Sequence, residues 1–165
     1  MIEKWDSIDD EIWAKIIVLE RNRRVAKAYA RAPVLTVNGG HDGFDGFRIG
    51  VAGFDNPMRD SATDDAIRSI GNGFKLKMDD VGNILIKRIS SRGSNSGVTI
   101  ENTTEESAIS NDILKLPNGM LEVDKPFKVN LNVLFFVICI FQFLPVDNSI
   151  FIWMHIYVLI FRCSI

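Results

Sequence analysis

Cysteine is nearly missing from this 165-residue chain. None precedes Cys139, so the body of the sequence holds neither a disulfide framework nor a cysteine-based metal site. Histidine is as scarce: His41 and His155 stand far apart without companions, which argues against metal ligation and a His-based triad. An excess of charge is missing too. Nineteen Lys and Arg face 21 Asp and Glu, so no overall field draws nucleic acid. The start, MIEKWDSIDDEIW, carries early acids and no apolar core, which excludes a secretory signal reading. With no thiols in the body, these features point to a cytoplasmic or nuclear protein.

Sequence signatures of catalysis are also wanting. Glycines 39, 40, 43, 46, 50 and 53 fit neither G-x-x-x-x-G-K-[ST] nor G-x-G-x-x-G, and read as turns. Asp42, Asp45, Asp55 and Asp60 miss the spacing of a calcium loop. Asp9-Asp10-Glu11 and Asp64-Asp65 are acids adjacent in sequence, whose side chains face apart on a regular element and serve as solvated surface. Asn102-Thr103-Thr104 matches a glycosylation sequon, which means little without secretion. The chain reads as non-enzymatic, with no cofactor and no metal.

What is present is a β-rich pattern with one helix. AKIIVL (14–19), VLTV (34–37) and FRIGV (47–51) read as strands, separated by the turn-forming GGHDGFDG (39–46). A helix capped by Asp60 or Ser61 runs to about Ile70, with Ala62, Ala66, Ile67 and Ile70 on one face, and ends at Gly71-Asn72-Gly73. FKLKM and NILIKRI flank a turn at 79–82 as a hairpin. Residues 90–112 read as a long polar loop around Val98-Thr99-Ile100; Ile113–Leu116 reads as a strand, and KPFK (125–128) begins another. Arg21, Arg23, Arg24, Lys27 and Arg31 form a basic run with two readings. It is either a patch for an acidic partner or a solvated hairpin end balanced by Glu11 and Glu20.

Composition changes abruptly at Val129. The last 37 residues carry only Asp147 and Arg162 as charges, yet hold both cysteines and half of the sixteen aromatics. One reading is a membrane anchor over residues 133–161, which would tether the body as an adaptor. Its two apolar halves, 133–146 and 150–161, are each short for a span of about 20 residues, and Pro145, Asp147 and Asn148 interrupt a single helix.

The stretch FRIGVAGFDNPMRDSATDDAIRSIGNGFKLKMDDVGNILIKRIS resembles the C-terminal, Mad homology two, domain of Smad proteins. The resemblance rests on Phe47, Ile49 and Gly50; Asn56 and Arg59; the Asp60–Ile70 helix; Ile70, Gly71 and Gly73; and Ser90. Upstream, Trp5-x-Ser7-Ile8 and VLTVNG fit the same order. WDSI, VLERNRR and GFDGFRIG look most similar to the atypical Expansion and Rebuff type. The resemblance implies a Smad and forkhead-associated-like β-sandwich and protein–protein recognition in signalling or transcription. Its Expansion-type side implies a role in chitin secretion and apical matrix formation. The partner surface expected on this reading is the loop and helix from Asn56 to Ile70, with Arg59 either a polar anchor or a local ion-pair or capping residue and Arg68 on the helix; Arg21, Arg23 and Arg24 are the second candidate patch.

Departures from the family pattern narrow this. Asn38 and Gly46 stand where typical Smads place an Asp and an Arg that pair across a trimer interface, so that ion pair is lost. No DNA-binding domain precedes and no Ser-x-Ser tail follows, so direct nucleic-acid binding is not expected. The later strands and helical bundle are not recognisable after Lys128. The expected organisation is therefore an incomplete Smad-like domain over 1–128 and a non-native tail over 129–165. Val-Asn is encoded by GTN-AAY, which can hold a splice-donor pattern, and the Phe, Ile, Leu, Val and Asn that follow are what translated T-rich intron yields.

Overall fold

The computed structural model describes residues 12–21, 23–89, 96–101, 110–129, 135–142, 145–146, 150–151 and 154–162. Two sheets sandwich one apolar core. The first strand, β1 (Ala14–Glu20), alternates strictly: Ala14, Ile16, Val18 and Glu20 are buried while Lys15, Ile17 and Leu19 are half-buried. That is the period-two pattern of a strand with one face on a core. It pairs antiparallel with β2 (Arg23–Ala30), whose Ala26, Ala28 and Ala30 are buried.

The second sheet is built from the middle of the chain. Its strands are β3 (Val34–Asn38), β4 (Gly43–Phe44), β5 (Arg48–Gly50), β6 (Phe74–Met78), β7 (Ile84–Arg88) and β9 (Pro126–Val129), ordered β4-β5-β3-β6-β7-β9. Only β3 and β5 run parallel. Ile16 of the first sheet and Leu35, Ile49, Phe74, Leu76 and Ile86 of the second belong to one cluster of fully buried side chains. Trp13, also buried, keeps its indole N–H satisfied by donating to the Ala32 carbonyl at 2.8 Å.

The expected helix is α1 (Ser61–Ile70). Asp60 is its N-cap, accepting from the Thr63 N–H at 2.8 Å, and Gly71 at φ 58° ends it. Thr63, Ala66, Ile67 and Ile70 are its buried residues; Ala62 is only half-buried. The helix packs against β8 (Ser96–Glu101), β10 (Phe135–Gln142) and β13 (Met154–Arg162). Between β10 and β13, β11 (Pro145–Val146) and β12 (Ile150–Phe151) pair with each other.

Four expectations need correction. Arg23–Ala30, read as part of a basic run, is a full strand; its apolar alternation is carried by alanine, a weak strand former, and was masked by the arginines. Ile113–Leu116 is not a strand. The chain forms a short helix, α2 (Asn111–Leu114), because the Ser110 carbonyl accepts from the Ile113 and Leu114 N–H groups. The polar stretch 90–112 contains β8, centred on its one apolar run. Finally, the described tail is extended, not helical. β10 and β13 complete the first sheet in the order β2-β1-β13-β10-β8, and among the described residues no helix is long and apolar enough to cross a membrane. The strand β9 also runs through Lys128–Val129: Val129 is buried and pairs with Ile84. Trp5, Ser7 and Ile8, Asp9–Glu11, Ser90 and the Asn102 sequon lie outside the described residues.

Candidate functional site

The loop before α1 is held from below by an acid on another strand. Glu20 ends β1 at an inward position and is 2% exposed. An ionised carboxylate there needs donors, because burying a charge unpaired is very costly. Three come from the loop. Asn56 Nδ2 donates to Glu20 Oε2 at 2.8 Å, Arg59 Nε donates to the same oxygen at 3.2 Å, and Arg59 Nη2 donates to Oε1 at 2.6 Å. Arg59 Nη2 also reaches the Phe54 carbonyl at 2.8 Å. The hydrogen bond to Glu20 raises the Arg59 pKa further, so the guanidinium stays charged.

This clamp gives the loop a defined shape. The Asn56 side-chain oxygen accepts from the Met58 N–H at 3.1 Å, and its carbonyl accepts from the Arg59 N–H at 3.0 Å. Met58 is thereby turned outward and is 74% exposed, an apolar side chain displayed on a pre-shaped turn. Beside it, Arg21 sits in the β1–β2 turn at φ 47° and pairs with Asp60 at 2.9 Å. Both side chains are about half exposed, so the pair contributes at most ~1 kcal/mol. The Thr63 side chain and N–H bond to Asp60 and hold its carboxyl below the usual range.

The structure therefore gathers Arg21, Asn56 and Arg59 with Glu20 and Asp60. Arg23 and Arg24 are exposed at the start of β2, opposite Glu20 and Leu19. Arg68 lies further along α1, exposed, and is held by Asp64 and, at 3.4 Å, Asp65 of its own helix. Arg59 is 13% exposed at its side chain, so it supports the surface from within. Glu20, expected to balance the basic run, is instead the buried counter-ion of the loop. Its even spacing after Ala14, Ile16 and Val18 was the signal for its burial.

A second pre-shaped loop lies beside β5. Asp45 Oδ1 accepts from the Phe47 and Arg48 N–H groups at 2.9 and 2.7 Å, which hold its pKa low. The loop leaves Phe47 exposed. Asn38 Oδ1 accepts from the Gly40 N–H at 2.9 Å, a local turn bond. Among the described residues, no three His, Cys, Asp or Glu side chains converge as a metal site.

Two facing sheets, one capping helix and a clamped loop define a Smad and forkhead-associated type of recognition scaffold. The chain belongs to the MH2 domain family, whose model matches residues 11–132. Solved structures agree on the fold. A chain in a crystal structure of STAT2 in complex with IRF9 superposes with TM-score 0.59 at 8% identity, covering 92% of this chain and 91% of that one. The interferon regulatory factor 9 IAD domain superposes with TM-score 0.56 at 9% identity, covering 91% of this chain and 82% of that one. No curated protein sequence matches the chain. Membership in the MH2 family makes the chain a protein-interaction module.

Proposed function

We propose that this chain is a non-catalytic adaptor in signalling or transcriptional control, and that it contacts its partner through the loop and helix from Asn56 to Ile70. The observation that carries this is the Glu20–Asn56–Arg59 clamp, which fixes the loop before any partner arrives. A pre-ordered loop loses little entropy on binding. In this reading Met58 and Arg68 make outward contacts, Arg59 supports them, and Arg21 with Arg23 and Arg24 borders the surface. The Smad-type trimer is not part of it, because Asn38 and Gly46 supply no ion pair.

The likeness of WDSI, VLERNRR and GFDGFRIG to the Expansion and Rebuff type directs the role toward chitin secretion and apical matrix formation. The test is affinity capture with the full chain, compared with Met58→Asp and with Arg68→Glu. A specific partner recovered by the parent chain and lost by both variants supports the surface. Equal recovery by all three overturns it. Depleting the protein from a chitin-forming epithelium tests the finer role, with normal apical chitin as the contrary result.

A further inference from the structure

The outer face of the second sheet is a separate feature, on different elements from the clamped loop. Leu76, Ile86 and Phe127 point into the core, so the alternating Lys75, Lys77, Lys87 and Lys128 point away from it. The strand register arranges them in two rows. In one row Arg48 lies opposite Thr36, Thr36 opposite Lys75, and Lys75 opposite Lys87. In the other, Val34 lies opposite Lys77, Lys77 opposite Leu85, and Leu85 opposite Lys128. Five cations thus share one face of a chain whose net charge is −2.

These charges are incompletely answered. Arg48 pairs with Asp42 at 3.2 Å and Lys87 with Asp124 at 3.8 Å, both at half-exposed positions. Lys75 and Lys77 are exposed, and among the described residues neither has an ion-pair partner. Lys75 and Lys87 face each other directly across β6 and β7, an arrangement of like charges that destabilises a sheet. An anionic occupant removes that penalty.

The surroundings select the kind of anion. Asp42 and Asp124 pair with Arg48 and Lys87 of the face, and Asp79, in the β6–β7 turn, lies close enough to Lys128 to feel its charge. A broad anionic bilayer would press against those acids, whereas a narrow chain lies on the lysines between them. Neither row contains an aromatic side chain on which nucleic-acid bases would stack. Val34 and Leu85 alternate with Lys77 and Lys128, which matches carboxylates interspersed with apolar residues. We propose that this face docks an acidic, leucine-containing segment of a partner protein, with Lys75, Lys77, Lys87 and Lys128 meeting its carboxylates and Val34 and Leu85 its apolar side chains.

The test measures fluorescence anisotropy of a short labelled peptide of interspersed Glu, Asp and Leu against the full chain. Phosphatidylserine vesicles and duplex DNA serve as rival ligands. The expected result is saturable peptide binding that weakens with salt and falls at least about tenfold in Lys75→Glu/Lys77→Gln. Thermal unfolding should show that variant as stable as the parent or more so, since Lys75→Glu places opposite charges across from each other. Should it fail to fold, Lys77→Gln/Lys128→Gln takes its place. Parental affinity in the folded variant, or tighter binding of vesicles or DNA than of peptide, overturns the proposal.

Discussion

Arg59 and Glu20 stand 39 residues apart in the chain and 2.6 Å apart in the fold. The contact ties the loop entering α1 to the end of β1. Neither residue is there for surface charge: one is fully buried and the other nearly so. A buried ion pair adds little net stability over an apolar pair of similar size, yet losing one member is costly. The arrangement therefore specifies one loop geometry.

Arg59→Ala is expected to destabilise the fold by about 3 kcal/mol, because Glu20 is left buried without its main counter-charge. Urea unfolding measures this. The double variant Glu20→Leu/Arg59→Met should recover most of the loss while loosening the loop. A double variant no more stable than Arg59→Ala would show that the pair does not act as a unit.

Three carboxylates tie stability to acidity. Asn83 bonds to Asp79, Thr63 to Asp60, and the Phe47 and Arg48 N–H groups to Asp45; each pKa is lowered. A carboxylate with a lower pKa when folded stabilises above its unfolded value and loses that contribution as pH falls through the folded one. Thermal midpoints should therefore be level above about pH 5 and decline below about pH 4. Asp79→Asn should flatten part of that decline, and a curve parallel to the parent's would contradict the assignment.

Gly73 bridges α1 and β6 at φ 64°, and a Cβ there would overlap the Val37 carbonyl oxygen. Backbone strain and the clash act together, so Gly73→Ala should cost at least about 2 kcal/mol. The change is read from the urea midpoint at constant slope, and a loss near zero would mean that the β3–β6 junction readily moves apart.

From the change of composition at Val129 we propose that the residues after Lys128 derive from retained intron, although the family match runs on to residue 132. Translated T-rich sequence is full of Phe, Ile, Leu and Val, which pair as strands wherever an edge is open. Sequencing transcripts across the Lys128 codon should show a major form that departs from this chain there. Abundant messenger reading through Val129 would overturn the proposal.

Local signals were legible. Asp60 before an apolar 3.6-residue period, with Gly71 after it, located α1, and the turn at 79–82 located the β6–β7 hairpin. Each depends on residues a few positions apart. The second sheet's charged rows were not legible, because Lys75 meets Lys87 only once the register is fixed. Arg59 stood out in the sequence, but its partner did not: no local pattern couples position 20 to position 59. Ile113–Leu116 misled because a four-residue stretch with three apolar positions is too short to separate strand from helix.

The order of the first sheet also sets a timetable. β1 has β2 on one side, delivered at once by a tight turn, and β13 on the other, where Ala14 meets Arg162. During synthesis of this 165-residue form β1 therefore waits with an open edge for on the order of ten seconds until β13 emerges, and in a form that departs at Lys128 another segment has to close that edge. Over that interval the nascent chain is most exposed to stray pairing, and a chaperone that shields β1 would act there.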